Sequence, residues 1–304
     1  MSEQTRTIQV NKAFDYADHE APLYALERAS GNAFFAGGGD RVITRIEFDG
    51  TLAARAIAQT TATIYSLLFM QDRNLLLAGN ADGGIHVIDL ESKKETLNLL
   101  AHEKGVFSMI LSDDNRHLLT GGGDGKLNLL SADDFSLIRS VKLSEGKIRS
   151  IASNAAKGEV IVSGGDGTLR IVEFPSLREI RRVHADAFSV NAIGLHPDRK
   201  LVITGGRDAH LRAWNENDLN AADDIPAHNY AIYSICFSPT GAYFATGSRD
   251  KTIKIWDAHS LKVIRRIDVN IGGHHHSVNK LLWLTDLLIS CGDDRRVIGW
   301  QVEA

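Results

Sequence analysis

One stretch in the last quarter of the chain decides the fold. Residues 243–257 read YFATGSRDKTIKIWD, two short apolar runs on either side of a polar turn that contains Asp250. Short runs rich in β-branched residues are typical of strands rather than helices. Gly and Asp favour the turn, because both tolerate a positive φ angle and Asp can hydrogen-bond within its own turn. The stretch therefore predicts a β-hairpin.

The same hairpin pattern recurs along the chain. The turn aspartates follow one another at intervals of 42 residues, with a last interval of 44, and they are Asp40, Asp82, Asp124, Asp166, Asp208, Asp250 and Asp294. Another apolar strand precedes each turn, and a fourth strand follows most of them, as at 137–143, 177–183 and 261–269. Four strands per repeat of this length form the unit of a β-propeller blade. The sequence predicts an all-β, seven-bladed propeller in which residues 1–304 form one domain. Stacked open hairpins are the weaker alternative, because they would leave two unprotected edges.

The two ends of the chain predict how the ring closes. Only four residues follow Trp300, too few for the outer strand of the last blade. The segment Arg6–Phe14 has no partner in the first blade, and its Ile8 and Val10 alternate with polar neighbours. We expect this segment to be the fourth strand of the last blade.

The sixth repeat also resembles a known family. His228, the segment SICFSPTG at 234–241 and the pair Trp256-Asp257 are similar to a repeat of the WD-repeat β-propeller family. The resemblance covers the whole chain, is strong in the fifth and sixth repeats and is degenerate elsewhere. Trp214 and Trp300 keep the tryptophan without the aspartate.

The resemblance implies a hydrogen-bonded chain of His, Ser or Thr, Asp and Trp inside each blade. Blade six has the full set, blade three has Leu130 for the Trp, and blade five has its His displaced by two residues, at His184. The residues are His228, Thr246, Asp250 and Trp256; His102, Thr120 and Asp124; and Thr204, Asp208 and Trp214. Blade four has Ser144 in place of the His. A carboxylate at a desolvated turn needs such partners, so we expect these aspartates to be structural rather than catalytic.

The resemblance further implies where partners bind. Proteins often dock on WD-repeat propellers at the channel mouth, on the face of the loops that lead into the inner strands. The residues expected there are Tyr24, Tyr65, Phe107, Arg149, Asn191, Tyr233, Asn279, Arg207, Arg249 and Asp293. Four of them are aromatic, and the three arginines are expected on the opposite arc. Tyr and Arg often anchor interfaces. At a single position, filling a gap between blades is an equal alternative, but four aromatics in one register favour binding.

Composition excludes several classes of protein. The chain has 38 acidic and 34 basic residues and a formal charge of −4, which argues against a dedicated duplex-DNA binder. It shows neither a secretory signal nor an apolar run of about 18 residues. Two cysteines cannot form a disulfide framework, so we expect a cytoplasmic protein without membrane contact.

Motifs for catalysis and for metal binding are absent or incomplete. His19-Glu20 and His102-Glu103 begin a zinc-protease pattern but lack its second histidine. Successive side chains of an extended segment point in opposite directions, so His274, His275 and His276 do not make a convincing metal site. We expect no metal and no cofactor. The polar stretch Asn215–Pro226 is expected to be a solvated loop.

The sequence thus predicts a non-catalytic scaffold that binds a protein or peptide and is monomeric outside its complexes. A propeller-fold metal-dependent hydrolase and a propeller that binds sugar or nucleic acid are the alternatives.

Overall fold

Seven four-stranded antiparallel sheets surround a central channel in the computed structural model, which describes residues 8–303. Contacts between neighbouring inner strands run around the ring and return from the seventh sheet to the first. The prediction of an all-β, seven-bladed propeller is therefore confirmed.

The first three blades follow an initial strand, β1 (Gln9–Tyr16). Blade one contains β2 (Leu23–Arg28), β3 (Ala33–Gly38), β4 (Val42–Phe48) and β5 (Leu52–Gln59). Blade two contains β6 (Ile64–Met70), β7 (Leu75–Asn80), β8 (Gly84–Asp89) and β9 (Lys94–Leu100). Blade three contains β10 (Val106–Leu111), β11 (His117–Gly122), β12 (Lys126–Ser131) and β13 (Leu137–Lys142).

The remaining blades continue in the same order, from the inner strand to the outer strand. Blade four contains β14 (Ile148–Asn154), β15 (Glu159–Gly164), β16 (Thr168–Glu173) and β17 (Glu179–His184). Blade five contains β18 (Val190–Leu195), β19 (Leu201–Gly206), β20 (His210–Asn215) and β21 (Ala221–Pro226). Blade six contains β22 (Ile232–Phe237), β23 (Tyr243–Ser248), β24 (Ile253–Asp257) and β25 (Val263–Ile267). Blade seven contains β26 (Val278–Trp283), β27 (Leu287–Gly292) and β28 (Val297–Glu303). Short 3-10 turns span Gln71–Arg73, Ala155–Lys157 and Val269–Ile271.

The N-terminal strand closes the ring. β1 pairs antiparallel with β28, with Val10 opposite Val302 and Tyr16 opposite Val297, and so supplies the outer strand of blade seven. Ile8 and Val10 are buried in the core between blades six and seven. This confirms the predicted closure for the described part of the segment; Arg6 and Thr7 lie outside the described residues.

The core lies between the blades. In one cluster, Ile203 and Leu211 of blade five pack against Phe244 and Trp256 of blade six. The rings of Phe244 and Trp256 stack with centroids 5.7 Å apart. Each blade therefore buries its faces against its two neighbours, which is why the repeat is stable only in the closed ring.

The expectation of a loop at Asn215–Pro226 is wrong for its second half. Residues 221–226 form β21, which pairs with β20, with Leu211 opposite Ile225. Five of its six side chains are exposed, so the segment shows little of the apolar alternation that predicts a strand. Charged residues and proline suit an outer edge strand, because they discourage pairing with another chain.

Candidate functional site at the channel mouth

A cavity of about 690 Å³ opens at the channel mouth, lined by residues from all seven inner strands. In every blade, the pairing between the inner strand and the next strand shifts at a β-bulge, and one residue lies at each shift: Tyr24, Tyr65, Phe107, Arg149, Asn191, Tyr233 and Asn279. A β-bulge changes the direction of a side chain. The bulges therefore explain how one residue per blade comes to line the cavity.

Three of the aromatic side chains form a continuous stack. The rings of Tyr24 and Tyr65 meet edge to face, with centroids 5.6 Å apart. The rings of Tyr65 and Phe107 lie nearly parallel, with centroids 4.8 Å apart. All three side chains are half-buried, so each leaves part of its surface open to a ligand.

The two asparagines of the set connect neighbouring blades. Asn191 donates from Nδ2 to the backbone oxygen of Ile232 at 3.0 Å. Asn279 donates from Nδ2 to the backbone oxygen of Leu23 at 2.9 Å and to Asp293 Oδ1 at 2.7 Å. These hydrogen bonds link the inner strands of neighbouring blades at the channel mouth.

Arg149 lies against the aromatic stack, whereas the sequence placed it on the opposite arc. Its guanidinium carbon is 5.5 Å from the ring centroid of Phe107, and Lys147 Nζ is 4.6 Å from the same centroid. Neighbouring blades bring these residues together, a contact that spacing along the chain does not show.

Arg207 and Arg249 each stand over an exposed aromatic ring. The guanidinium carbon of Arg207 is 5.2 Å from the centroid of Phe188, and that of Arg249 is 5.9 Å from the centroid of Tyr230. The two rings are 57% and 60% exposed, which is unusual for side chains of this size. Sequence reasoning missed Phe188 and Tyr230, although their separation of 42 residues repeats that of the arginines.

Glu27 lines the same cavity. Its Oε1 accepts a hydrogen bond from the backbone N–H of Phe69 at 3.2 Å. Burial raises the pKa of Glu27 to about 7, and Lys280 and Arg28 offset that rise only in part.

The hydrogen-bonded chain of blade six is complete. His228 Nδ1 is 3.0 Å from Asp250 Oδ2, His228 Nε2 is 2.7 Å from Thr246 Oγ1, and Trp256 donates to Thr246 Oγ1 at 2.9 Å. Burial raises the pKa of Asp250, but hydrogen bonds from His228 and Thr252 outweigh it and leave the pKa well below its usual range. The aspartate is thus a charged, fully engaged acceptor.

Two other blades contain closely related series of hydrogen-bonded side chains. In blade seven His274, Ser290, Asp294 and Trp300 form the full set, with Trp300 donating to Ser290 Oγ at 3.0 Å. In blade three His102 is 3.1 Å from Asp124 Oδ1 and 2.8 Å from Thr120 Oγ1.

Blade five departs from the expected pattern. His184 lies exposed on β17, and the buried residue that faces the turn is Asp186, whose Oδ2 accepts from the backbone N–H of Asp208 at 3.2 Å. Arg212 donates to Asp208 Oδ2 at 2.7 Å, while Trp214 donates to Thr204 at 2.8 Å. Burial raises the pKa of Asp186, and the neighbouring Asp208 adds to that rise.

Blade four uses an arginine instead of a histidine. Arg170 donates to Asp166 Oδ2 at 2.6 Å and to Asp166 Oδ1 at 3.1 Å. Ser144, which stands where the histidine belongs, also hydrogen-bonds Asp166. Asp166 and Asp208 thus retain side-chain partners where the histidine of the pattern is lost.

The histidine run at 274–276 and the two cysteines lie in different environments within the described residues. Among residues 8–303, no three His, Cys, Asp or Glu side chains are placed to hold a metal ion. His274 belongs to the chain of blade seven, while His275 and His276 are exposed. Burial raises the pKa of Cys236 to about 12 and that of Cys291 further, so both thiols stay protonated.

Comparisons with known proteins find WD40 repeats in part of the chain and a similar fold in a solved structure. The model of the WD40 family (WD domain, G-beta repeat) matches residues 93–130, 177–215 and 222–257. The WD40 β-propeller domain of Doa1 is similar in structure, with a TM-score of 0.86 over 96% of each chain and 14% sequence identity. Three segments of the chain therefore match WD40 repeats, and its fold is that of a seven-bladed β-propeller, so the resemblance read from the sequence is confirmed.

The same comparisons do not single out an activity. At 14% identity, the likeness to the Doa1 domain shows the fold alone. No curated protein matches the chain in sequence. Within the described part of the chain, no helix is long and apolar enough to cross a membrane.

Proposed function

We propose that the chain is a non-catalytic scaffold, one domain over residues 1–304, that binds a protein or peptide at the channel mouth. WD40 propellers typically serve in this way. The observation that carries the proposal is the stack of Tyr24, Tyr65 and Phe107 beside Arg149, around an open cavity of about 690 Å³. Aromatic side chains bury a large area with few rotatable bonds, and arginine adds a charged group with several hydrogen-bond donors.

The rigid ring supplies the mechanism of binding. Strand pairing on one side and blade contacts on the other hold each bulge residue in place. Binding therefore costs little side-chain entropy, since the site is formed before the partner arrives. We propose the cytoplasm as its compartment, because neither thiol is paired in a disulfide. We also propose that the protein is a monomer outside its complexes.

The alternative functions have less support. A metal-dependent hydrolase needs a cluster of free ligands, and the turn carboxylates described above are engaged in hydrogen bonds or ion pairs. Binding of nucleic acid along the outer strands needs unpaired basic side chains there. On the outer strands Arg178 lies 3.0 Å from Glu173, and Arg182 lies 3.5 Å from Glu179.

Affinity capture from cell lysate tests the proposal. The bait is the wild type beside the triple variant Tyr65→Ala/Phe107→Ala/Tyr233→Ala. A matched control, Leu100→Ala/Leu137→Ala/Ile138→Ala, removes exposed apolar side chains from outer strands. We expect partners that wild type and control retain and the triple variant loses, at equal melting temperatures. Retention by all three proteins would move the site away from the mouth, and capture of nothing would contradict the scaffold function.

A further inference from the structure

Basic side chains gather beside Phe107 at the channel mouth, and the two acidic residues that line the same cavity, Glu27 and Asp293, form no ion pair with them. Lys147 and Arg149 both lie over the ring of Phe107, at 4.6 and 5.5 Å from its centroid. Partial burial lowers the pKa of Lys147, and the charges of Arg149 and Lys104 lower it further. Within residues 8–303, none of Lys147, Arg149 and Lys104 forms an ion pair. The carboxylate next to Lys104 in sequence, Glu103, is already bound to Lys126 at 2.7 Å.

Arg149 lacks an acceptor for one of its donors and has no carboxylate beside it. Its Nε is buried and finds no hydrogen-bond acceptor in the described part of the chain. Burial lowers the pKa of Arg149, and the groups that oppose this effect are the phenols of Tyr233 and Tyr65 rather than a carboxylate. A buried N–H without an acceptor costs free energy, as does the repulsion between two cations on one ring. An anion bound beside Lys147 and Arg149 would remove the repulsion between the two cations.

We propose that Arg149, Lys147 and Lys104 bind an anionic group, a carboxylate or a phosphate, on an acidic peptide segment of a partner protein. The inference rests on the proposed function of the mouth and names the chemistry of the partner. Charge-assisted hydrogen bonds from the arginine orient the anion. The open faces of Tyr65 and Phe107 receive the neighbouring side chain of the same segment.

Two further cations, in the turns between the second and third strands of blades five and six, favour a partner with more than one negative charge. Arg207 and Arg249 are exposed, lie over Phe188 and Tyr230, and form no ion pair within the described ranges. Their excess of positive charge is local, because the whole chain carries a formal charge of −4. A long polyanion such as nucleic acid would meet the repulsion of the whole surface, whereas a short acidic segment meets only the mouth.

Pools of immobilised peptides test the inference. Each pool has random residues around one fixed central residue, which is phosphoserine, Glu, Gln or Lys. We expect the phosphoserine and Glu pools to retain the wild-type protein at least about tenfold better than the Gln pool. The double variant Arg149→Gln/Lys147→Gln should lose this ratio. Arg181→Gln/Arg182→Gln, which removes the same charge from an outer strand, should keep it.

The outcomes separate this inference from the proposed function. Equal retention of wild type by all pools, lost in Tyr65→Ala/Phe107→Ala, would refute the anion site and leave a peptide-binding mouth. A ratio that survives the double variant, or no retention on any pool, would also overturn the inference. Retention that survives the aromatic substitutions would contradict both. If the double variant melts early, Lys147→Gln alone repeats the test, because the Lys147 side chain is exposed.

Discussion

Trp256 donates its indole N–H to the hydroxyl oxygen of Thr246 at 2.9 Å. Because an indole nitrogen can only donate, Thr246 accepts this bond and is free to donate its own hydrogen to His228 Nε2, 2.7 Å away. The proton of the neutral imidazole then resides on Nδ1, which faces Asp250 Oδ2 at 3.0 Å. The carboxylate of Asp250, which can only accept, requires this tautomer, since the hydroxyl of Thr246 has two lone pairs and the indole alone does not fix it.

Removing the hydroxyl of Thr246 should destabilise the protein more than the same change in blade three. Thr246→Val leaves the indole N–H and His228 Nε2 without partners, and we expect a loss of about 2–4 kcal/mol in the free energy of unfolding. Thr120→Val is the matched control: both threonines are fully buried, but Leu130 in blade three leaves no indole unpaired. Its cost should be smaller by about 1 kcal/mol. Chemical denaturation measures both, and equal costs would contradict the role of the indole.

The buried histidines should remain neutral as the solution is acidified. Burial lowers the pKa of His102 and of His228 from 6.5, although Asp124 and Asp250 oppose the shift. We expect nitrogen NMR to show the Nδ1–H tautomer of His228 persisting as the pH falls through 6.5. Since the unfolded chain binds these protons more readily, the two histidines contribute stability that is fully present above pH 6.5 and is lost below it. Protonation of both rings at their unfolded pKa would refute this.

Glu27 should affect stability in the opposite direction. Its pKa rises from 4.5 to about 7 on folding, so its contribution is fully present below pH 4.5 and is lost as the pH passes 7. Glu27→Gln keeps an acceptor for the N–H of Phe69 and removes the charge. We expect the variant to exceed the wild type by on the order of 2 kcal/mol at pH 8 and to match it near pH 4.5. Melting curves across this range test the difference, and a gap that does not change with pH would disprove it.

Deletion of residues 1–12 should lower the melting temperature by several degrees or more. The deletion removes the buried Ile8 and Val10 and half of the strand that closes blade seven. Phe14→Ala should act in the same direction, because the ring of Phe14 packs over Gly299. The exposed Gln9, changed to Ala, is the control and should leave the melting temperature unchanged. An unaltered melting curve for the deletion would show that the ring closes without this strand.

Repetition let the sequence predict the architecture in detail. Each repeat carries its own strands and turns, and the 42-residue spacing of the turn aspartates reports how many blades there are. The short C-terminal remainder predicted that the N-terminal segment completes blade seven, as β1 does. Outer strands were harder to recognise: nearly every side chain of β21 is exposed, and the apolar periodicity that marks a strand is missing there.

The sequence predicted only part of the candidate site. Alignment of the repeats predicted the seven bulge residues, and all seven line one cavity. The spacing of the repeats did not show that Asp186 occupies the position of the histidine. His184 lies only two residues before Asp186, and spacing alone does not decide which of the two faces the turn. Nor did it show that Lys147 and Arg149 share the ring of Phe107, which belongs to the neighbouring blade.

The sequence by itself determined the periodic features of this protein: strand order, blade number and the closing strand. These follow from local patterns that recur and from the need to bury both faces of every sheet. Only the tertiary structure decided which side chains meet across blade boundaries. Such contacts depend on the β-bulges and on the rotation from one blade to the next. Neither can be predicted from the spacing of residues along the chain.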